Sequence, residues 1–479
     1  MGIAFVPVYI KYLGMESYGL IGVFAILQAT LTLLDMGMTP TLSREMSRFT
    51  GGAHTSQSIS DLLRSLEWVC IGVAIFVAFG IWAASGWLAA DWLRVEKLPV
   101  ATVAQALAIM GVVIALRFVE GLYRGAIIGL QRQVLFNVIN VSLATLRGLG
   151  AAGVLAFVSP TIEAFFFWQG LLSLLTLAIF AIVVYRTLPS ATHKPHFSRT
   201  ALVGIWHFAA GMMVATFFAL LLTQADKVIL SRLLSLEAFG HYSLAGALVG
   251  SLSILIVPVT QAYYPHMTEF VARGDEGGLI TAYHRAAQMI SVLVGSAAIM
   301  LILFGERLVA LWTGNLSLAH DIAPLLSVLA LGNLLNSLSY IPYMLQLAHG
   351  WASLAAKVNI VAVTVLVPAI FWATPRYGAL GAAWVWVALN SGYVLIAIHF
   401  MHKRLIPQEK WHWYGKDIGL PLAAIVITAG AFRYWQPLVL SKLLELSWLG
   451  FVGMTVTLAA ALMAPELRCL IVKQLKGRK

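Results

Sequence analysis

Apolar blocks about 20 residues long follow one another from end to end of this chain, each able as a helix to cross a hydrocarbon core of about 30 Å. That repetition constrains the fold more than any single residue does. In lipid, every backbone N–H and C=O must find its partner inside the protein, so blocks of this length predict helices. With 60% hydrophobic and 11% charged residues among 479, and a mean hydropathy of +0.87, a soluble core with a polar surface is excluded. The expected class is an all-α, polytopic membrane protein.

The spans are predicted near 1–12, 18–40, 66–89, 101–123, 135–157, 161–185, 201–231, 240–263, 287–304, 321–345, 355–373, 379–400, 418–434 and 446–464, about fourteen in all. Polar stretches between them reach about 25 residues at most, too short for an extramembranous domain. The first ten residues carry no signal-peptide pattern. They would make about 15 Å of helix, half of a hydrocarbon core, and read as the outer half of a first helix that begins upstream of Met1.

Loop charge sets the orientation. With the N-terminus inside, twenty of the 31 Lys and Arg fall on cytoplasmic segments and eight on outer ones; Arg117, Arg147 and Lys227 remain within spans. Both termini are therefore expected in the cytoplasm. The same bias explains the net charge of +11 without nucleic acid.

A faint repeat runs through the chain. Glu16-Ser17-Tyr18-Gly19 opens the second span, which ends at Pro40 with Ser43 and Arg48 beyond; Glu237-Ala238-Phe239-Gly240 opens the eighth, which ends at Pro265 with Thr268 and Arg273 beyond. An offset of six spans preserves orientation, so two six-helix lobes related about the membrane normal are expected, around a central cavity. The corresponding divisions are 1–190 and 191–403, with two extra helices and a basic tail in 404–479.

Ionisable residues inside these spans cost about 2.5–3.5 kcal/mol each at the bilayer centre and usually face a bundle interior or a watery cavity. Asp35 shares a helix face with Gln28, Thr32 and Thr39, which marks it for ion coupling or gating. Arg117, Glu120 and Arg124 share another face, and Arg117 can pair with Glu120 at i,i+3. Arg147 has no local acid and is expected to meet Glu120, Glu163 or a ligand phosphate, for which a guanidinium offers two parallel donors. Asp226 and Lys227 adjoin in the seventh span, while Asn333, Asn336, Ser337 and Tyr340 give the tenth an uncharged hydrogen-bonding face. A cationic first lobe and a neutral second lobe would suit a ligand with a phosphate end and a sugar end.

Phosphate-binding Gly loops, paired-Asp clusters and Ser-His-Asp constellations are not found in the sequence, so no catalytic residue and no cofactor is expected. Cys70 and Cys469 make no disulfide framework or metal site, and the twelve His are scattered, with His193 and His196 the closest loop pair and no metal expected there.

Leu13-Gly14-Met15-Glu16-Ser17-Tyr18-Gly19-Leu20, Leu34-Asp35-Met36-Gly37 and Ser43-Arg44-Glu45 resemble the opening of bacterial polysaccharide (O-antigen type) flippases. Those belong to a superfamily with lipid II flippases and multidrug exporters of the MATE type. Gly129-Leu130-Gln131-Arg132, Gln224-Ala225-Asp226-Lys227, Gly240-His241-Tyr242-Ser243 and Tyr377-Gly378-Ala379-Leu380-Gly381-Ala382-Ala383 are similar in kind and order. The resemblance implies alternating access in the bacterial inner membrane, driven by a proton or sodium ion. The implied substrate is a polyprenyl-pyrophosphate-linked oligosaccharide moved to the periplasmic leaflet among membrane lipids, with polysaccharide polymerase and chain-length proteins as candidate partners. Arg117, Arg124, Arg147 and Lys227 would bind the pyrophosphate and Asn333, Asn336 and Tyr340 the sugars; Asp35, Glu120 and Asp226 would couple or gate. A drug or metabolite exporter or lipid II flippase of the same superfamily is the alternative, and a membrane-embedded polymerase or ligase the second.

Overall fold

The computed structural model describes residues 2–35, 37–52, 54–189, 193–200, 202–203, 223–351, 353–437 and 441–469. Among these, eleven helices are long and apolar enough to cross a membrane. Two of the eleven contain a break, at Gly14 (φ 79°) and at Gly378 (φ 60°), where the sequence predicts a boundary between two spans. Both glycines have left-handed backbone, a conformation that only glycine adopts cheaply. Most of the predicted seventh span, residues 204–222, lies outside the described residues. Contacts divide the chain into two compact units, Met1–His241 and Tyr242–Lys479.

The first unit contains α1 (Gly2–Leu34), α2 (Met38–Thr50), α3 (Ser56–Trp87), α4 (Val100–Gly129), α5 (Gln133–Phe157) and α6 (Ile162–Thr187). Its axis is α4, whose Val103, Leu107, Met110, Ile114, Phe118 and Leu122 recur at helical spacing and are all buried. A buried acid ties the neighbours to it: Glu67 of α3 accepts from the hydroxyls of Tyr123 on α4 (2.8 Å) and Tyr185 on α6 (2.6 Å), and from Arg64 (2.9 Å). With three donors around one carboxylate, burial of this acid needs no further compensation.

Helix α2 is an addition to the sequence reading, which has only a loop after Pro40. Proline is tolerated in a first helical turn because the N–H it lacks would have no partner there. Met38, Thr41, Leu42, Glu45 and Met46 form its buried face. Ser47 Oγ donates to the Gly129 carbonyl (3.0 Å), fixing α2 on the end of α4. Arg48 donates to both Glu45 oxygens (2.9 and 3.2 Å), and His54 Nε2 lies 2.7 Å from Glu45 Oε2.

Just past the Gly14 break in α1, Glu16 (5% exposed) accepts from the backbone N–H groups of Glu96, Lys97 and Leu98. In the same turn Arg94 pairs with Ser235, the residue before α7 (Leu236–Gly250), whose Glu237 meets Lys97 in an ion pair. Both motif glycines thereby come together, Gly19 against Leu236 and Gly240 against Met15.

The second unit continues through α8 (Ser253–Arg273), α9 (Glu276–Thr313), α10 (Leu316–Leu338), α11 (Tyr340–Ala348), α12 (Ser353–Gly392), α13 (Ile398–Leu405), α14 (Leu420–Tyr434) and α15 (Lys442–Met463). Its buried axis is α9. The last two helices pack on it through Val292 and Phe304 of α9, Ile425 and Ala429 of α14, and Val452, Val456 and Ala460 of α15. Lipid is as apolar as these side chains, so the close fit and the small residues hold the helices together, not release of water.

Candidate functional site

Four polar side chains from α1, α4 and α6 meet within the first unit, with Arg117 at their centre and Gln28 on the exposed side. Its Nη1 donates to Gln28 Oε1 (2.6 Å), its Nη2 to Gln169 Oε1 (2.8 Å) and its Nε to Ser173 Oγ (3.2 Å). Its guanidinium carbon also lies 5.0 Å from the centre of the Phe24 ring. Every acceptor is neutral. The i,i+3 ion pair with Glu120 that spacing allows does not form, because these three acceptors draw the guanidinium across to α1 and α6.

Glu120 stays 9% exposed, and among the described residues its Oε2 has no hydrogen-bond partner. Arg117, Arg124 and Arg147 all lie within its electrostatic range, so three cations surround one carboxylate. Among the described residues no ion pair within 4.0 Å includes Arg117, Arg147 or Glu120.

Arg147 on α5 is the under-satisfied member. Its Nη2 donates to Thr176 Oγ1 at 3.3 Å, while its buried Nε has no partner among the described residues. An unpaired guanidinium N–H away from water carries a large desolvation cost, which an incoming acceptor would relieve. Trp168 holds this turn of α5 by donating its indole N–H to the Arg147 carbonyl (3.2 Å).

Arg124 is exposed, with its guanidinium carbon 5.4 Å from the Phe136 ring centre. Asp35 sits just past the end of α1, where its two oxygens accept from the Thr39 backbone N–H (3.1 and 3.2 Å) and one also accepts from the Thr39 hydroxyl (2.7 Å). It thus satisfies a first-turn donor of α2. The Thr32 side chain, on the same predicted stripe, lies outside the described residues. Lys227 Nζ donates weakly to Gln224 Oε1 (3.5 Å), and Asp226 beside it is partly buried.

In the second unit Asn333 Nδ2 donates to the Val249 carbonyl (3.2 Å) and Asn336 Nδ2 to Oδ1 of the buried Asn390 (2.8 Å), with Tyr340 partly exposed at the start of α11. The structure therefore gathers Arg117, Glu120 and Arg147 into one cluster, with the exposed Arg124 within electrostatic range of Glu120, and leaves Asp35 in separate surroundings. Sequence reasoning missed the α6 contribution. Gln169, Ser173 and Thr176 stand at spacings of 4 and 3 in an otherwise apolar span, a one-face polar stripe of the kind already noted on α1.

A family model described as "Polysaccharide biosynthesis protein" matches residues 1–271. The "Putative O-antigen transporter" of Shigella flexneri is 19% identical over 378 residues, 78% of this chain and 87% of that one. Among solved structures, the lipid II flippase MurJ in an inward closed conformation gives a TM-score of 0.70 at 12% identity, covering 98% of this chain and 97% of MurJ. An inward-facing multidrug resistance transporter of the MATE family gives 0.67 at 12% identity, over 85% of this chain and 94% of the other. At such identities the likeness is one of fold, and it places these helices in the polytopic architecture that MATE transporters and MurJ share. Because the family match takes in more than half of the sequence, including α1 to α6 and the whole arginine cluster, the chain belongs to the polysaccharide biosynthesis protein family.

Proposed function

We propose that this protein is a flippase for a polyprenyl-pyrophosphate-linked oligosaccharide, carrying it from the cytoplasmic to the periplasmic leaflet of the bacterial inner membrane by ion-coupled alternating access. The observation that carries the reading is Arg147, a half-buried cation whose buried Nε has no partner among the described residues, beside an excess of positive charge, in a chain of this family. A pyrophosphate would take the free donors of Arg147, with Arg117, Arg124 and Lys227 supplying further attraction. Glu120 would compete for the same cations when the ligand leaves, and protonation or sodium binding at Glu120, Asp35 or Asp226 would couple the exchange to an ion gradient. Asn333, Asn336 and Tyr340 would meet the glycan. Both Asn amides already donate to protein acceptors, which leaves their Oδ1 atoms and the phenol for a sugar. An exporter of cationic drugs would call for an acid-dominated cluster, the reverse of this one.

The test is export of surface polysaccharide in a strain lacking the chromosomal copy. Arg147→Ala should abolish it at unchanged membrane abundance, and Arg147→Lys should restore part of it, since an ammonium keeps the charge but loses the forked geometry. Full export by Arg147→Ala would overturn the reading.

A further inference from the structure

Far from the arginine cluster in sequence, a second group of polar side chains joins α9 to the segment that precedes α14. His284 of α9 is 4% exposed, and its Nε2 lies 3.0 Å from Glu409 Oε2. His412 Nδ1 lies 3.5 Å from the same oxygen, and its ring stacks on that of His284 with centroids 4.2 Å apart. One ligand atom from each residue falls within 4.8 Å of the other two. A tetrahedral zinc ion with bonds of about 2.0–2.2 Å holds its ligands roughly 3.3 Å apart, so two sides of the triangle already have the right length. The remaining side closes by rotation of His412, whose side chain is 33% exposed.

The surroundings of His284 support the same chemistry. Its Nδ1 faces Oδ2 of Asp417, a fully buried carboxylate. Asp417 Oδ1 accepts from Gln288 Nε2 (2.8 Å), and Gln288 Oε1 in turn accepts from the Glu466 backbone N–H (2.9 Å). This chain fixes the ring and keeps its outer nitrogen, Nε2, aimed at Glu409 and His412. A buried carboxylate behind a ligating imidazole is the usual outer support of a histidine–metal bond, because it orients the ring and raises its basicity.

We propose that His284, Glu409 and His412 bind a divalent transition-metal cation of the zinc class, with Asp417 and Gln288 as positioning residues. Two imidazoles and one carboxylate suit zinc and its first-row neighbours and disfavour magnesium and calcium, which take all-oxygen shells. Three protein ligands leave a fourth position for water. The ion would clip residues 407–412 to α9. The ligands are 125 and 3 residues apart, which is why no spacing in the sequence announces them.

The test uses the full-length protein in detergent, without a histidine tag, stripped with chelator and re-equilibrated with Zn²⁺ before gel filtration and elemental analysis. One zinc per chain is expected, with no comparable retention of Mg²⁺. His412→Ala and Glu409→Gln should each remove it. Asp417→Asn should weaken zinc binding about 10–100-fold while all three ligands remain. His412→Cys should restore uptake, which a purely structural stacking role for His412 would not predict. If the rings only serve a His284 ion pair with Asp417 and Glu409, the wild-type protein will retain no more zinc than the Glu409→Gln/His412→Ala double variant. That equality would overturn the proposal.

Discussion

Gly19 and Gly240 stand at the same place in two copies of one motif, and each lies against the backbone that leads into the other. A Cβ on Gly19 would fall 2.2 Å from the Leu236 carbonyl oxygen, and one on Gly240 would fall 2.6 Å from that of Met15. The neighbouring atoms are main chain and cannot swing aside. Gly19→Ala and Gly240→Ala should each force the two helices apart at a cost of about 1–3 kcal/mol, the usual range for overpacking. Thermal unfolding in detergent checks this, and an unchanged midpoint would show that the crossing yields freely.

Gln169 allows the structural role of the Arg117 cluster to be separated from its charge. Gln169→Leu leaves Nη2 without its acceptor, and a buried unsatisfied donor costs about 1–3 kcal/mol. Gln169→Glu keeps the acceptor and neutralises the guanidinium. The Leu variant should unfold at lower temperature. The Glu variant should be as stable as wild type in the same assay and yet lose polysaccharide export.

Glu16 closes the turn between α3 and α4 through three backbone N–H groups. Hydrogen bonds to a charged group contribute about 1.5–3 kcal/mol. Glu16→Gln presents an NH₂ where two of those N–H groups need an oxygen, so proteolysis in the 93–98 turn should accelerate relative to wild type. Equal cleavage rates would count against the role.

Glu45 gives a pH dependence outside the membrane-spanning helices. Burial raises its carboxyl pKa, but the hydrogen bonds from His54 and Arg48 outweigh burial and hold it below the ordinary 4.5. An acid with a lower pKa folded than unfolded stabilises the fold above the unfolded value, and that contribution fades as pH falls through the folded one. Wild type should therefore lose thermal stability below about pH 4.5 more steeply than Glu45→Gln. Parallel melting curves across that range would remove Glu45 from the acid response.

Hydropathy made the spans legible because lipid imposes its thickness on every helix, whatever the tertiary contacts. It could not show that Gly14 and Gly378 break continuous helical segments without a loop, since a span boundary and a one-residue break look alike in composition. Charges inside spans were equally visible, but their partners were not. Arg117 finds Gln28, Gln169 and Ser173 at separations of 89, 52 and 56 residues, and only folding brings those together. Asp35 is a case of short range: of the stripe on which the sequence places it, the member its side chain meets is Thr39, four residues away.

Uncharged amides and a hydroxyl hold Arg117 much as a solvent would, and they do so without cancelling its charge. An arriving polyanion would find a cation with no counter-ion to evict, so attraction would begin before any protein bond had to break.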